Sequence, residues 1–345
     1  MAAPFAWIRA EPHGIHVVPA DCWIDPSLPV PNALVTHGHS DHARGGHGRT
    51  VATPETLAIM ELRYQTREGA MPVQYSETIR LPGGVDATFV PAGHVLGSAQ
   101  IAVERKGMRI VASGDYKDVA DPTCAPFELV PCDVFITEAT FGLPVFRHHD
   151  AEGEIRKLLH SVAVFPERAH LVGAYSLGKA QRVMALLRAA GYDQTIYLHG
   201  AMEKITAYYQ ERGIDLGPVE LVKGAKKAEL AGTITICPPT AMSDLWSRRF
   251  PDPVLAFASG WMRVRARARQ RGVTLPLVIS DHADWDGLTK TIQATGCSEV
   301  WVTHGEEEAL VHWAHMQGLK AKPLAIVGYG DEEEHEAESE EAEKK

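Results

Sequence analysis

The chain has no apolar run long enough to span a bilayer, which argues against a helical membrane protein. Its first residues, MAAPFAWIRAEPHGIHVV, lack a basic stretch followed by a long apolar one, so no secretory signal is expected. Cysteine is scarce. The five present (Cys22, Cys124, Cys132, Cys237 and Cys297) are an odd number, widely spaced and without a CxxC pair. That pattern argues against a disulfide framework or a thiolate zinc site and suits a reducing cytoplasm. Positive charge is short too, with a formal net charge of −10. The deficit is local: nine acids and two lysines stand from Asp331 onward, a net −7, which leaves −3 for everything before. The segment DEEEHEAESEEAEKK has almost nothing apolar to pack, and it is expected to be a disordered, solubilising tail. Internal repeats are absent as well.

What the chain does have is a crowd of histidines. In VTHGHSDHARGGH, residues 35–47, the side chains of His37, His39, Asp41 and His42 fall within six positions of one another, after a short apolar run. Imidazoles so close repel once protonated and add little to a core. A metal site is the reading that uses them. His37 and His39 alternate on an extended segment and can face one ion together. Asp41 and His42 follow the bend and can face a second ion. Further along, His94 can complete the first set, Asp115 can bridge, and His304 can complete the second. Two ions a few ångströms apart need donors on both sides and a bridging carboxylate.

The surrounding pattern places these groups. Short β-like runs recur: ALVTH (33–37), ATFVPAGH (87–94), a hairpin in QIAVERKGMRIVASGD (100–115) turning at Lys106-Gly107, DVFITEAT (133–140), PLVISDH (276–282) and EVWVTHG (299–305). Helical periodicity marks residues 53–64, 152–164, 179–190, 285–295 and 306–317. The mixture predicts an α/β class with stacked sheets. Asp25, His37, His94, Asp115, Glu138, His282 and His304 each stand at or just past the end of an apolar run. Packed sheets would bring those ends to one edge, where a rigid scaffold commonly holds functional groups.

THGHSDH resembles the second motif of the metallo-β-lactamase superfamily. Asp25 in WIDP resembles the first motif, His94 in AGHVLGSAQ the third and Asp115 in SGDYKD the fourth. About 130 residues separate ITEATFG from ISDHADW and VTHGEEE, a layout similar to the β-CASP nucleases, in which a second domain interrupts the lactamase fold. Glu138 then matches the acidic motif A, His282 the motif B histidine and His304 the motif C histidine. GAYSLGKAQRV (173–183), IYLHGAM (196–202) and AFASGWM (256–262) resemble the β-CASP body. The likeness implies an αββα sandwich with an inserted α/β domain. The expected bounds are 1–145 and 271–330 for the sandwich, 146–270 for the insertion and 331–345 for the tail.

The resemblance also implies an activity. The overall layout is most like that of bacterial DNA-ligase-associated exonucleases, which implies a DNA exonuclease acting in repair, functionally associated with a ligase and a helicase. An RNA-processing ribonuclease is the alternative, because a histidine at motif C is commoner among RNA-processing members. A scaffold that has lost its ligands is a third reading. The implied cofactor is a pair of zinc ions, with manganese or another divalent ion as the alternative. They activate a hydroxide that attacks the phosphodiester. Asp41 and Asp115 belong to this catalytic set as well as to the ligands. His282 is the candidate general acid, held in its tautomer by Glu138; otherwise it is a strand-end histidine beside a helix that starts near Asp284, itself the expected N-cap. Asp25 either orients the ligands by hydrogen bonding or is a turn residue before Pro26, with Asp21 a weaker rival.

Weaker signals concern nucleic acid. RVRARARQR puts Arg263, Arg265, Arg267, Arg269 and Arg271 at every second position, one basic face as a strand and a wrapped one as a helix. It either neutralises phosphates or is an ordinary solvated surface. In SLGKAQ, Ser176 and Lys179 stand at an expected helix start, either at an anion site or at a plain cap. His47, His148, His149 and His199 are expected not to be ligands.

Overall fold

The computed structural model describes residues 5–65, 69–148, 150–250, 252–324 and 326. The acidic segment 331–345 and His149 lie outside them. The chain divides into two compact units, Met1–Val145 with His282–Lys345, and Phe146–Asp281.

The first unit is a two-sheet sandwich flanked by helices. One sheet has six strands in the order Ile8–Glu11, Gly14–Val17, Cys22–Ile24, Asn32–Leu34, Arg49–Ala52 and Ala70–Pro72. The other has seven, in the order Lys320–Pro323, Glu299–Gly305, Val134–Ala139, Met108–Ala112, Ala99–Arg105, Val85–Pro91 and Thr78–Leu81. Side-chain alternation explains how the second sheet can be covered on both faces. Phe89, Ile101, Ile110, Ile136 and Trp301 point into the sandwich, against Ile15, Ile24, Leu34 and Val51 of the first sheet. Their neighbours Ala102, Val111, Phe135, Val300 and Val302 point the other way, onto Trp285, Leu288 and Ile292 of helix Trp285–Thr295 and Leu310 of helix Glu307–Met316. The outer face of the first sheet, through Ala33 and Ala52, packs on Leu57 and Met60 of helix Pro54–Tyr64. The order of layers is therefore helix, sheet, sheet, helix, as the motif pattern implies.

Local chemistry sets the element ends. Helix Pro54–Tyr64 starts at Thr53, whose hydroxyl accepts from Thr56 N at 3.2 Å, with Pro54 at the first helical position. Helix Trp285–Thr295 starts at Asp284, whose carboxylate accepts from Gly287 N, and ends at a left-handed Gly296. The hairpin turns at Lys106-Gly107, both with positive φ (53° and 75°), the combination that a tight two-residue turn between twisted strands requires.

The second unit carries one sheet whose pairings are all parallel, in the order Val219–Leu221, Ile196–Leu198, Ile234–Cys237, His170–Gly173, Val254–Ala258 and Leu275–Leu277. Its strands read as unbroken apolar runs such as HLVG, ITIC and VLAFA, each buried nearly throughout. An insertion ending at 270 would omit its last strand. Ala256–Ala258 pair with Leu275–Leu277, so the sheet does not close until after them, and the unit runs on to Asp281. Among the described residues, no helix is long and apolar enough to cross a membrane.

Phe89 is fully buried between the two sheets of the first unit. Phe89→Ala should lower the free energy of unfolding by about 3–5 kcal/mol, measured by urea denaturation with metal saturating. A loss below about 1 kcal/mol would mean that the sandwich closes over the vacated space.

Candidate metal centre

Strand ends and the loops after them carry the donors. His37 and His39 follow strand Asn32–Leu34, His94 follows Val85–Pro91, Asp115 follows Met108–Ala112, and His304 is the penultimate residue of Glu299–Gly305. His37, His39, Asp41, His42, His94 and Asp115 are at most 3% exposed. Polar groups buried so deeply need partners, and these mostly face one another.

His37 Nε2 lies 3.1 Å from His39 Nδ1, and His94 Nε2 lies 3.0 Å from the same atom. One Asp115 oxygen stands 3.4 Å from His37 Nε2, 3.8 Å from His94 Nε2 and 3.5 Å from His42 Nε2. On the other side, Asp41 approaches His42 Nε2 at 3.5 Å, and the rings of His42 and His304 stack at 4.7 Å. One donor set is thus His37, His39, His94 and Asp115, the other Asp41, His42 and His304, with the donor atoms in each within 4.8 Å of one another. A tetrahedral zinc with bonds of about 2.0–2.1 Å spaces its ligands about 3.3–3.4 Å apart. The separations from 3.0 to 3.8 Å bracket that spacing. Two imidazole nitrogens crowd His39 Nδ1, which can donate to only one of them. The residues fit divalent-ion binding, and Asp115 stands close to donors of both sets. No cysteine enters either set among the described residues, and burial first of all pushes the thiols of Cys22 and Cys132 up to about 12.

Hydrogen bonds behind the donors fix which nitrogen faces the ion. The Asp25 carboxylate accepts from Thr36 N at 2.7 Å, from Thr36 Oγ1 at 2.6 Å and from His42 Nδ1 at 2.8 Å. With its proton on Asp25, Thr36 Oγ1 is left to accept from His37 Nδ1 at 3.1 Å. Both rings then present Nε2 lone pairs forward. Gly114, at φ 55°, permits the close approach of the Asp115 loop: a Cβ there would lie 2.7 Å from the Thr36 side chain. Gly305, at φ 80°, does the same after His304, where a Cβ would lie 2.4 Å from Ala139 O.

Burial, and then the imidazoles of His42, His94 and His39, hold His37 well below the usual histidine range, in the neutral form that binds metal. At His42 burial acts the same way, but Asp115, Asp41 and Asp25 outweigh it and the net shift is well upward. Three carboxylates around one ring mark a place that attracts positive charge.

Beside the donors lies a second cluster. Glu138 Oε2 accepts from His282 Nδ1 at 2.9 Å, and Glu138 Oε1 accepts from Tyr116 N at 2.7 Å. Burial works to raise the Glu138 carboxyl, but His282 and these hydrogen bonds outweigh it, and the group is held below its usual value. The His282 ring lies 4.6 Å from that of His94. His282 does not cap the following helix, since Asp284 fills that role.

The residues expected to touch nucleic acid lie in the second unit. Lys179 is not available: it is 2% exposed, and its ammonium is bonded to the Asp281 carboxylate. A lysine buried to that depth is kept only by such a partner, and the helix-start reading therefore loses its cation. Ser176 is half-buried, and its carbonyl accepts from Gln181 Nε2 at 3.1 Å. Arg263 and Arg265 are exposed. The arginine run is a short helix, Arg265–Gln270, and not a strand. Arg267 turns inward, 3.9 Å from the Trp261 ring centroid, and Arg265 and Arg269 share an exposed face. Lys117 and Thr36 escaped the sequence reading. The signal was available for both, since each directly neighbours or closely follows a strand-end donor.

No family model matches the chain. Several proteins do. A probable DNA ligase of Opitutus terrae is 26% identical over 91% of this chain and 31% of its own length. The ribonuclease TTHA0252 of Thermus thermophilus is 23% identical over 88% of this chain and 87% of its own. An endoribonuclease YSH1 of Eremothecium gossypii is 33% identical over 44% of this chain and 19% of its own. The chain thus spans about a third of the ligase and a fifth of that endoribonuclease. A crystal structure of a protein of unknown function from Enterococcus faecalis aligns with a TM-score of 0.54 at 14% identity, covering 78% of this chain and 74% of that one.

Asp25 belongs to neither donor set, so its contribution can be separated from that of a ligand. Asp25→Asn should weaken metal binding about 10–100-fold, read by chelator competition, because the amide cannot accept all three hydrogen bonds. Unchanged affinity would reduce Asp25 to a turn residue.

Proposed function

We propose, on the premise that this chain is a β-CASP protein of the metallo-β-lactamase superfamily, that it is a metal-dependent phosphodiesterase acting as a DNA exonuclease in repair. The observation that carries the hydrolytic part is the pairing of two convergent donor sets with the His282–Glu138 dyad. The DNA part rests on the alignment of 91% of the chain within a protein named a probable DNA ligase, which also motivates association with a ligase. A helicase partner follows from the family resemblance alone. Ribonuclease action is the second reading, favoured by the near full-length match to a protein named a ribonuclease and by His304 at the motif C position. The five free thiols suit a cytoplasmic protein.

Zinc is the ion that the imidazole-rich donors suit best, with manganese as the alternative. When bound, the ions would supply Lewis acidity toward the phosphoryl oxygens and make a water acidic enough to act as nucleophile near neutral pH. His37, His39 and His94 would hold one ion, Asp41, His42 and His304 the other, and Asp115 both. The chain's own chemistry then concerns the leaving oxygen. His282 Nδ1 is committed to Glu138, which leaves Nε2 to deliver a proton to that oxygen as the P–O bond breaks. Arg263 and Arg265 give the second unit exposed cations for phosphates.

Protein purified without chelator should carry two transition-metal ions per chain, and it should degrade end-labelled single-stranded DNA progressively from one end. One ion or none at saturating metal would sink the dinuclear reading. Degradation confined to RNA would replace the first reading with the second.

His282→Ala should keep both ions and lose roughly 10²–10⁴ in rate on an ordinary phosphodiester. On a nitrophenyl phosphodiester, whose leaving group departs without a proton, the loss should shrink. An equal loss on both substrates would assign His282 to binding or structure.

A further inference from the structure

The His282–Glu138 dyad does not hang on its own loop. Tyr116 and Lys117, the two residues after Asp115, hold it at three points. Tyr116 N donates to Glu138 Oε1 at 2.7 Å, and Tyr116 O accepts from Ala283 N at 2.7 Å. Lys117 Nζ donates to the carbonyl of His282 at 3.3 Å. Lys117 N is itself anchored on Ala92 O at 3.0 Å, two residues before His94. The first residue of the segment, Asp115, faces His37, His42 and His94. One short stretch of backbone thus connects the bridging carboxylate to the residue that carries the proton donor.

Lys117 is the buried cation of this arrangement. It is 7% exposed, in a position where an apolar residue would fill the space at lower cost of desolvation. Its ammonium reaches a main-chain carbonyl 165 residues away in sequence. The carbonyl belongs to the residue whose ring must be held within a fraction of an ångström.

We infer that Lys117 is a positioning residue for His282: its ammonium, bonded to the His282 carbonyl, fixes the backbone from which the imidazole reaches the leaving oxygen. This rests on the reading of His282 as the proton donor. Lys117 touches neither ion nor reacting atom in that role, and its effect passes through His282.

The test uses the full-length, metal-loaded protein. Lys117→Met keeps the length of the stem and removes the donor; Lys117→Arg restores a donor. Lys117→Met should bind two ions and lose about 10–10²-fold in kcat on an ordinary phosphodiester, the scale of a small misplacement, with KM changed little. On the nitrophenyl phosphodiester its loss should shrink to a few-fold, and Lys117→Arg should recover most of the rate on the ordinary ester. Independently of turnover, the hydrogen-bonded Nδ1 proton of His282 should give a downfield NMR signal, assigned by its disappearance in His282→Ala. That signal should broaden or shift in Lys117→Met and return in Lys117→Arg. An unchanged signal in Lys117→Met, or equal rate losses on the two esters, would overturn the inference. If Lys117→Met does not fold, the same two readouts on Lys117→Leu, which also lacks a donor, decide. A wild-type protein that hydrolyses neither ester with both ions bound would instead refute the hydrolase reading, and the NMR signal would still judge the role of Lys117.

Discussion

The constraint on which the rest depends is the burial of one carboxylate. Asp25 holds Thr36 by its backbone and its hydroxyl, and His42 by its ring. Through Thr36 it also sets the tautomer of His37. A single acid therefore orients one imidazole in each donor set, and it does so from a left-handed backbone position with φ 45°. Aspartate tolerates that conformation better than most residues. A buried carboxylate without these three donors would be costly, so the loop after strand Asn32–Leu34 and the turn at Asp25 are stable only together. Gly114 adds the third side: only a glycine lets the Asp115 loop come down on Thr36.

The sandwich explains why so many donors reach one place. Val134–Ala139 pairs in parallel with both Met108–Ala112 and Glu299–Gly305. Asp115, Glu138 and His304 thus stand at the same end of three neighbouring strands. The facing sheet contributes Asp25 and His37 from the ends of Cys22–Ile24 and Asn32–Leu34, which are also parallel neighbours. Apolar side chains fill the space between the sheets along their length, and the polar ones gather where the strands stop. Distances within the cluster are short because the register of two rigid sheets is fixed by their alternating cores.

Much of this was legible. The alternation of Phe89, Ile101 and Ile136 with polar or oppositely facing neighbours marked the strands, and Asp284 before an apolar period of 3.6 marked a helix start. The positions of Asp25, His37, His94, Asp115, Glu138 and His304 at or near strand ends were readable because strand ends are signalled locally. Other features depended on contacts far apart in the chain. Strands of three residues such as Leu275–Leu277 carry too little pattern to be assigned to one unit or the other, and only pairing with Val254–Ala258 settles it. Lys179 looked like a free cation at a helix start because its partner, Asp281, is 102 residues away. The arginine run has no apolar stripe of its own, so neither a helix nor a strand could be preferred until Trp261 was found beneath Arg267.

The same long-range logic governs the charge of the site. His37 is pushed toward neutrality by burial and by the other imidazoles, whereas His42, with its ring centroid 4.2 Å from that of His37, is drawn toward the protonated state by three carboxylates. Asp115 is pulled both ways, with burial raising its carboxyl and His42 opposing. Two imidazole nitrogens crowd His39 Nδ1, and three carboxylates crowd His42. A divalent cation would relieve such crowding, because one charge can face several of these donors at once. Dense burial of so many titratable donors is a poor way to stabilise a fold and an effective way to hold metal. That makes the convergence itself, rather than any one histidine, the strongest physical sign of what the strand ends are for.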